Sequence, residues 1–218
     1  LLVEGSVMMI RGRSWSKLQF ITHGGSAEEI INSTLKVLEG GCRWVQLRMK
    51  NFPREEIISV AEILKAECRK NDAVLLIDDE VEIALRLNLD GVHLGLKDMP
   101  IDEARKILGE NFIIGGTANT VEQAHHHISL GADYLGVGPF RYTTTKQNLS
   151  PLLGIEGYKS LMSNTDIITV PVVAIGGIVE TDIPEIMSTG VQGIAVSGTI
   201  LNAKNQVEQT RLLLNKLK

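Results

Sequence analysis

From Lys17 onward the chain writes one unit eight times: a short β-branched run, then an amphipathic stretch whose apolar residues recur at three and four. The runs fall at 18–22, 44–47, 74–77, 91–94, 112–115, 134–137, 172–175 and 193–196. The stretches between them fall near 26–39, 54–70, 79–88, 101–108, 120–130, 154–163, 181–189 and 200–217. Ile57, Val60, Ala61, Leu64 and Cys68 make one such stripe, with the helical period. Strict strand–helix alternation implies a parallel sheet, either closed or doubly wound. Eight strands with no element left over favour closure, since an open five-stranded sheet would leave the final third unexplained. The expectation is one α/β domain, a single (β/α)8 TIM barrel over 17–218, preceded by an extension at 1–16.

Composition agrees. Of 218 residues 44% are hydrophobic, 22% charged and only 4% aromatic, which is the aliphatic filling that parallel strands covered on both faces need. A net charge of −4 excludes the broad basic footprint of a nucleic-acid binder. No apolar run reaches the roughly 18 residues of a membrane span. In the extension a short apolar stretch, Val7–Ile10, precedes Arg11 and Arg13, the reverse of secretory order. Cys42 and Cys68 lack metal-binding or redox spacing and read as packing residues of a reduced, cytoplasmic chain. Nothing in the pattern decides whether the chain self-associates.

In such a barrel the chemistry sits where strands end. After the second strand, alternation sends Gln46, Arg48 and Lys50 to one side. Flanked by covered strands, these charges have only the rim to occupy. The third strand runs out into Asp78 and Asp79, and Asp98 follows the fourth. Alone, each acid could be a helix cap. Together, beside a cationic pair, they suit Mg2+, which takes one or two carboxylates plus water and substrate phosphate. After the sixth strand, 138–148 is the longest stretch without periodicity, and Thr143, Thr144, Thr145 and Lys146 offer donors to a multiply charged anion. The seventh and eighth strands end in Gly176-Gly177 and Val196-Ser197-Gly198, where backbone can approach a phosphate.

Two anion sites emerge, a metal-assisted diphosphate clamp and a monophosphate cradle. No nucleophile–base pair accompanies them. His125, His126 and His127 cannot share one helix face and read as surface, and His93 reads as a core or supporting residue. Chemistry by stabilising a departing diphosphate, with a second bound substrate attacking, fits such a rim.

These strand ends resemble those of the thiamine phosphate synthase family. The likeness rests on Val45-Gln46-Leu47-Arg48 with Lys50, Ile77 with Asp79, Gly91-Val92-His93-Leu94-Gly95 with Asp98-Met99-Pro100, Gly138-Pro139 with Thr143, Thr145 and Lys146, Ala174-Ile175-Gly176-Gly177-Ile178, and Val196-Ser197. It implies a transferase that joins a hydroxymethylpyrimidine diphosphate to a thiazole phosphate, giving thiamine phosphate and pyrophosphate. By resemblance Gln46, Arg48, Lys50, Asp78, Thr117 and Lys146 hold the pyrimidine diphosphate. Asp79 and Asp98 ligate Mg2+, while Thr143 to Thr145, Gly176, Val196 and Ser197 hold the thiazole phosphate. Arg48, Lys50 and Lys146 carry the catalytic charge, and the substitution is dissociative. The chain departs from the family at Asp78, where Asn is usual, and at Leu96, Thr117 and Tyr142. Two alternatives share the barrel: a thiazole tautomerase, which needs neither clamp nor metal pair, and a non-catalytic thiamine phosphate-binding protein.

Overall fold

The computed structural model describes residues 7–10, 12–142 and 152–218, with the backbone alone at Val7 and Arg13. Eight parallel strands close into a barrel: β3 (Leu18–Ile21), β4 (Trp44–Leu47), β5 (Val74–Asp78), β6 (Gly91–Leu94), β7 (Ile113–Ala118), β8 (Tyr134–Val137), β9 (Val172–Ile175) and β10 (Gly193–Val196). Closure is made by β10, which pairs with β3 on one side and β9 on the other. The expected barrel is therefore the observed one.

Helices follow each strand, and their starts have local causes. In α1 (Ala27–Glu39) the Ser26 hydroxyl accepts from the Glu29 amide at 3.2 Å, while the Glu29 carboxylate accepts from the Gly25 amide at 2.7 Å. That reciprocal pair satisfies amides the first turn leaves open. In α2 (Arg54–Lys70) the buried face is the stripe read from sequence: Ile57, Val60, Ala61, Leu64 and Cys68. The remaining helices are α3 (Val81–Leu87), α4 (Ile101–Leu108), α5 (Val121–Ser129), α6 (Gly154–Met162), α7 (Ile183–Ser188), α8 (Gly198–Leu201) and α9 (Gln206–Lys216). The expected single helix over 200–217 is two, because Asn205 stops the chain and caps α9, accepting from the amides of Val207 and Glu208. Among the described residues no helix is long and apolar enough to cross a membrane.

Side chains alternate along each strand and so build two separate apolar clusters. Phe20, Val45, Leu47, Leu75 and Ile77 face outward to the helices. Trp44, Leu76, Ile113, Tyr134, Val173 and Ala195 face inward and fill the barrel. Tyr134 occupies so much of that interior that a Cβ on Gly115 would lie 2.2 Å from its ring, which explains why the neighbouring strand carries glycine there.

The extension is part of this filling. Val7–Ile10 (β1) and Arg13–Ser16 (β2) form an antiparallel hairpin across the end of the barrel where strands begin. Met8, Ile10 and Trp15 join the inner cluster, and the Trp15 ring meets Trp44 edge-on at 5.1 Å, which in turn meets Tyr134 at 5.0 Å. One expectation is corrected: His127 is buried, with its ring against Gly116 of β7, whereas His125 and His126 are exposed as expected. Burial lowers its pKa, so the imidazole packs as a neutral group.

Candidate active site at the strand ends

A cavity of about 920 Å3 opens at the rim where the strands end. It brings together Gln46, Arg48, Lys50, Asp78, Asp79, Asp98, Thr117, Gly176, Val196 and Ser197. Thr143, Thr144, Thr145 and Lys146 lie outside the described residues.

Gln46 and Asp78 point inward from adjacent strands, and the Gln46 amide nitrogen donates to Asp78 Oδ1 at 2.9 Å. Arg48 and Lys50 approach the other carboxylate oxygen, at 3.5 and 3.9 Å. The backbone of Arg48 is held by Thr22, whose hydroxyl accepts from the Arg48 amide at 2.8 Å and donates to its carbonyl at 3.2 Å. Sequence reasoning gave Thr22 no role: the contact spans 26 residues and nothing local signals it.

Asp79 sits just beyond the strand in the left-handed region, φ 66°, with its amide donating to the His93 carbonyl at 3.0 Å. A non-glycine residue at positive φ is uncommon and is often held there by a functional site. Its carboxylate contacts Lys50 Nζ at 2.9 Å. Asp98 is fixed by its own turn, Oδ2 accepting from the Gly95 amide at 2.6 Å.

Asp79 and Asp98 converge within hydrogen-bonding reach of each other. Burial first, then the contact with Asp98 and the charge of Asp78, push the Asp79 carboxyl up to about 7, against the opposing effect of Lys50. For Lys50, burial opposes the charge, but the bond to Asp79 and the charges of Asp78, Asp79 and Asp98 raise its pKa. Two carboxylates that destabilise one another's charge fit a hard cation. Among the described residues no group of three or more His, Cys, Asp or Glu side chains gathers closely enough to hold a metal ion.

Behind Thr117 runs a chain of hydrogen bonds. The Gln19 amide donates to the Tyr134 hydroxyl at 3.2 Å, that oxygen lies 2.9 Å from His93 Nδ1, and His93 Nε2 lies 2.9 Å from the Thr117 hydroxyl. His93 thus links the Tyr134 and Thr117 hydroxyls through its two ring nitrogens, and its tautomer sets which hydroxyl donates. Thr117 also lines the cavity. Sequence reasoning set β7 to end at Gly115, whereas it runs to Ala118 and places Thr117 on the strand.

On the far side, Ser197 is half-buried, and its hydroxyl, beside Val196, is shielded from solvent with no hydrogen-bond partner. Gly176 and Gly177 both take positive φ, 102° and 68°. A Cβ on Gly176 would fall 2.7 Å from Pro139 Cβ, so this crossing needs glycine. The loop after β8 is latched onto it: Phe140 and Arg141 amides donate to the Ile175 and Gly176 carbonyls at 2.8 and 3.1 Å. Arg141 also donates to Asp182 at 2.6 Å, and the same carboxylate accepts from the Val179 amide at 2.8 Å. Neither Arg141 nor Asp182 was singled out from sequence, since the pair is 41 residues apart.

The family model for thiamine monophosphate synthase matches residues 18–200. A thiamine-phosphate synthase from Bacteroides thetaiotaomicron is 58% identical over 200 residues, covering 91% of this chain and 96% of that protein. One from Flavobacterium johnsoniae is 44% identical over 205 residues, 93% of this chain and 95% of that protein. Among solved structures, a thiamine phosphate pyrophosphorylase from Pyrococcus furiosus superposes with a TM-score of 0.82 at 35% identity, covering 92% of this chain and 94% of that one. A 3-hexulose-6-phosphate synthase, at 18% identity and TM-score 0.68, shares the fold alone.

Proposed function

Because this chain belongs to the thiamine monophosphate synthase family and has the activity of a thiamine-phosphate synthase, a transferase, we propose how its rim divides that work. The substrates are 4-amino-2-methyl-5-hydroxymethylpyrimidine diphosphate and 4-methyl-5-(2-phosphooxyethyl)thiazole. Gln46 and Thr117 orient the pyrimidine ring. Arg48 and Lys50, with Lys146, take the diphosphate, and Asp78 holds the two cations in place. Gly176, Val196, Ser197 and Thr143 to Thr145 cradle the thiazole phosphate. Asp79 and Asp98 would hold Mg2+, which neutralises diphosphate charge when bound.

The bond from the pyrimidine methylene carbon to the diphosphate oxygen breaks, and its electron pair leaves with the diphosphate. The resulting pyrimidinyl-methyl cation is captured by the thiazole nitrogen lone pair, forming the C–N bond, and no proton has to move. Arg48 and Lys50 stabilise the growing negative charge. They need no reorganisation because Asp78, Asp79 and Thr22 already hold them. The observation that carries this reading is the meeting of two cations with the Asp79–Asp98 pair at one mouth. A tautomerase handling only the thiazole phosphate would need neither. The small charged substrates and two buried thiols, Cys42 and Cys68, fit a cytoplasmic setting.

The test supplies both substrates with Mg2+ and follows pyrophosphate and thiamine phosphate together with variants of Arg48 and Lys50. Equimolar products that vanish with those variants are expected. Undiminished turnover in both variants would overturn the clamp.

A further inference from the structure

Gly176 and Gly177 line the cavity and take positive φ, 102° and 68°. Two adjacent glycines make such a turn at least steric cost, but neither has a side chain to hold its backbone still. A phosphate bound there has to order that backbone first, unless something outside the cavity already does.

Arg141 and Asp182 supply the restraint without lining the cavity themselves. The Arg141 amide donates to the Gly176 carbonyl at 3.1 Å. Its side chain then crosses Gly177 so closely that a Cβ there would fall 2.5 Å from Arg141 Cγ. Beyond the glycines the guanidinium donates to Asp182 Oδ1 at 2.6 Å. The other oxygen of that carboxylate accepts from the Val179 amide at 2.8 Å, and the Asp182 amide donates to the Val179 carbonyl at 3.1 Å. The arginine is anchored in turn. Its guanidinium lies 4.9 Å from the centre of the Phe140 ring, which stacks on buried Tyr158 at 6.2 Å. One carboxylate therefore ties the turn after β9 to the loop after β8.

Global stability does not account for the pair. The Arg141 side chain is 45% exposed, and ion pairs so open to water contribute little to folding. We infer that Asp182 is a positioning residue that, through Arg141 and the Val179 amide, presets the Gly176–Gly177 turn for a phosphate ester. This role rests on the reading of that end of the cavity as the thiazole-phosphate cradle. Because the turn would meet the phosphate and not the ring, loosening it should weaken the phosphate ester and spare the corresponding thiazole alcohol.

The test titrates the full chain and Asp182→Asn with thiazole phosphate, thiazole alcohol and pyrimidine diphosphate, each alone. Asparagine keeps the shape and still accepts from the Val179 amide, but it carries no charge for Arg141. The variant is expected to bind thiazole phosphate about tenfold more weakly, the cost of reordering roughly one backbone residue. Its affinity for the alcohol and for pyrimidine diphosphate should stay nearly unchanged. An unaltered affinity for thiazole phosphate, or an equal loss for both phosphorylated substrates, would overturn the inference. Should Asp182→Asn fold poorly, Arg141→Met breaks the same pair from its exposed side while keeping a stem over Gly177. It must weaken thiazole phosphate likewise, and undiminished binding again overturns the role. Combining the two substitutions should cost no more than either alone, since both remove one contact, whereas additive losses would show two unrelated defects and sink it. A wild type that binds thiazole phosphate no better than the alcohol removes the cradle itself and this role with it. A preserved preference with unresponsive variants leaves the cradle standing and removes the positioning role alone.

Discussion

His93 Nδ1 lies 2.9 Å from the hydroxyl of Tyr134, which belongs to the barrel filling, and through that contact the interior packing reaches the Thr117 hydroxyl. The same phenol sits edge-on to Trp44, so one aromatic ring serves both the apolar interior and the polar chain.

Tyr134→Phe keeps that packing and removes one hydroxyl. His93 then loses its Tyr134 partner, and with it the contact that orients the ring against Thr117. KM for the pyrimidine diphosphate is expected to rise by about tenfold, the effect of losing one buried hydrogen bond. KM for the thiazole phosphate and the melting temperature should change little. A proportional rise in both KM values would show a general structural effect instead.

The proposed role of Asp79 as a cation ligand predicts that metal use depends on pH. Its carboxyl is pushed up to about 7, so it is open to a cation above that pH and increasingly protonated below it. The Mg2+ concentration for half-maximal activity should therefore increase as pH falls from 8 to 6. The folded pKa lies above the unfolded value of 3.8, so the folded chain binds this proton more tightly. Without metal, its contribution to stability declines as pH rises from about 4 through 7, and Mg2+ should offset the decline. Melting curves with chelator or Mg2+ check the sign. Asp79→Ala should abolish the pH-dependent gain and lower turnover on the order of 100-fold or more with the fold intact.

Gly176→Ala should separate the two proposed anion sites. The added carbon meets Pro139 at 2.7 Å and the backbone stands at φ 102°, a combination worth about 1–3 kcal/mol of strain. Thiazole phosphate affinity is expected to fall, with pyrimidine diphosphate affinity nearly unchanged. Paired titrations would show whether the loss is confined to one ligand.

Trp15→Ala should cost about 3–5 kcal/mol, because the side chain is 3% exposed and fills the barrel floor against Trp44. Met9, 55% exposed on the same hairpin, should tolerate alanine within about 0.5 kcal/mol. Denaturant unfolding of the two variants checks both values.

The barrel was legible because each unit declares itself locally: a β-branched run for a strand, a three-and-four stripe for a helix. The stripe of α2 and the closure of eight strands followed from that alone. What escaped lacks a local sign. The hairpin does alternate, Met8 and Ile10 inward with Met9 outward, but over four residues such a pattern is too short to stand out. His127 was misread because its helix face packs closely on Gly116, a relation visible only once β7 is in place. At the rim, residue types and spacing marked the cations and acids. Thr22 beneath Arg48 and Asp182 beneath Arg141 were invisible, since hydrogen bonds across 26 and 41 residues leave no trace in sequence.

The hairpin under the barrel changes what can go wrong above it. The pyrimidinyl-methyl cation proposed above would be captured by whichever nucleophile arrives first, and bulk water is always the more abundant one. Met8, Ile10 and Trp15 stopper the floor and, among the described residues, close that end of the barrel with apolar packing. Loosening the stopper should therefore show up as leakage of substrate into pyrimidine alcohol, so that pyrophosphate released outruns thiamine phosphate formed, even in a variant whose active-site residues are untouched.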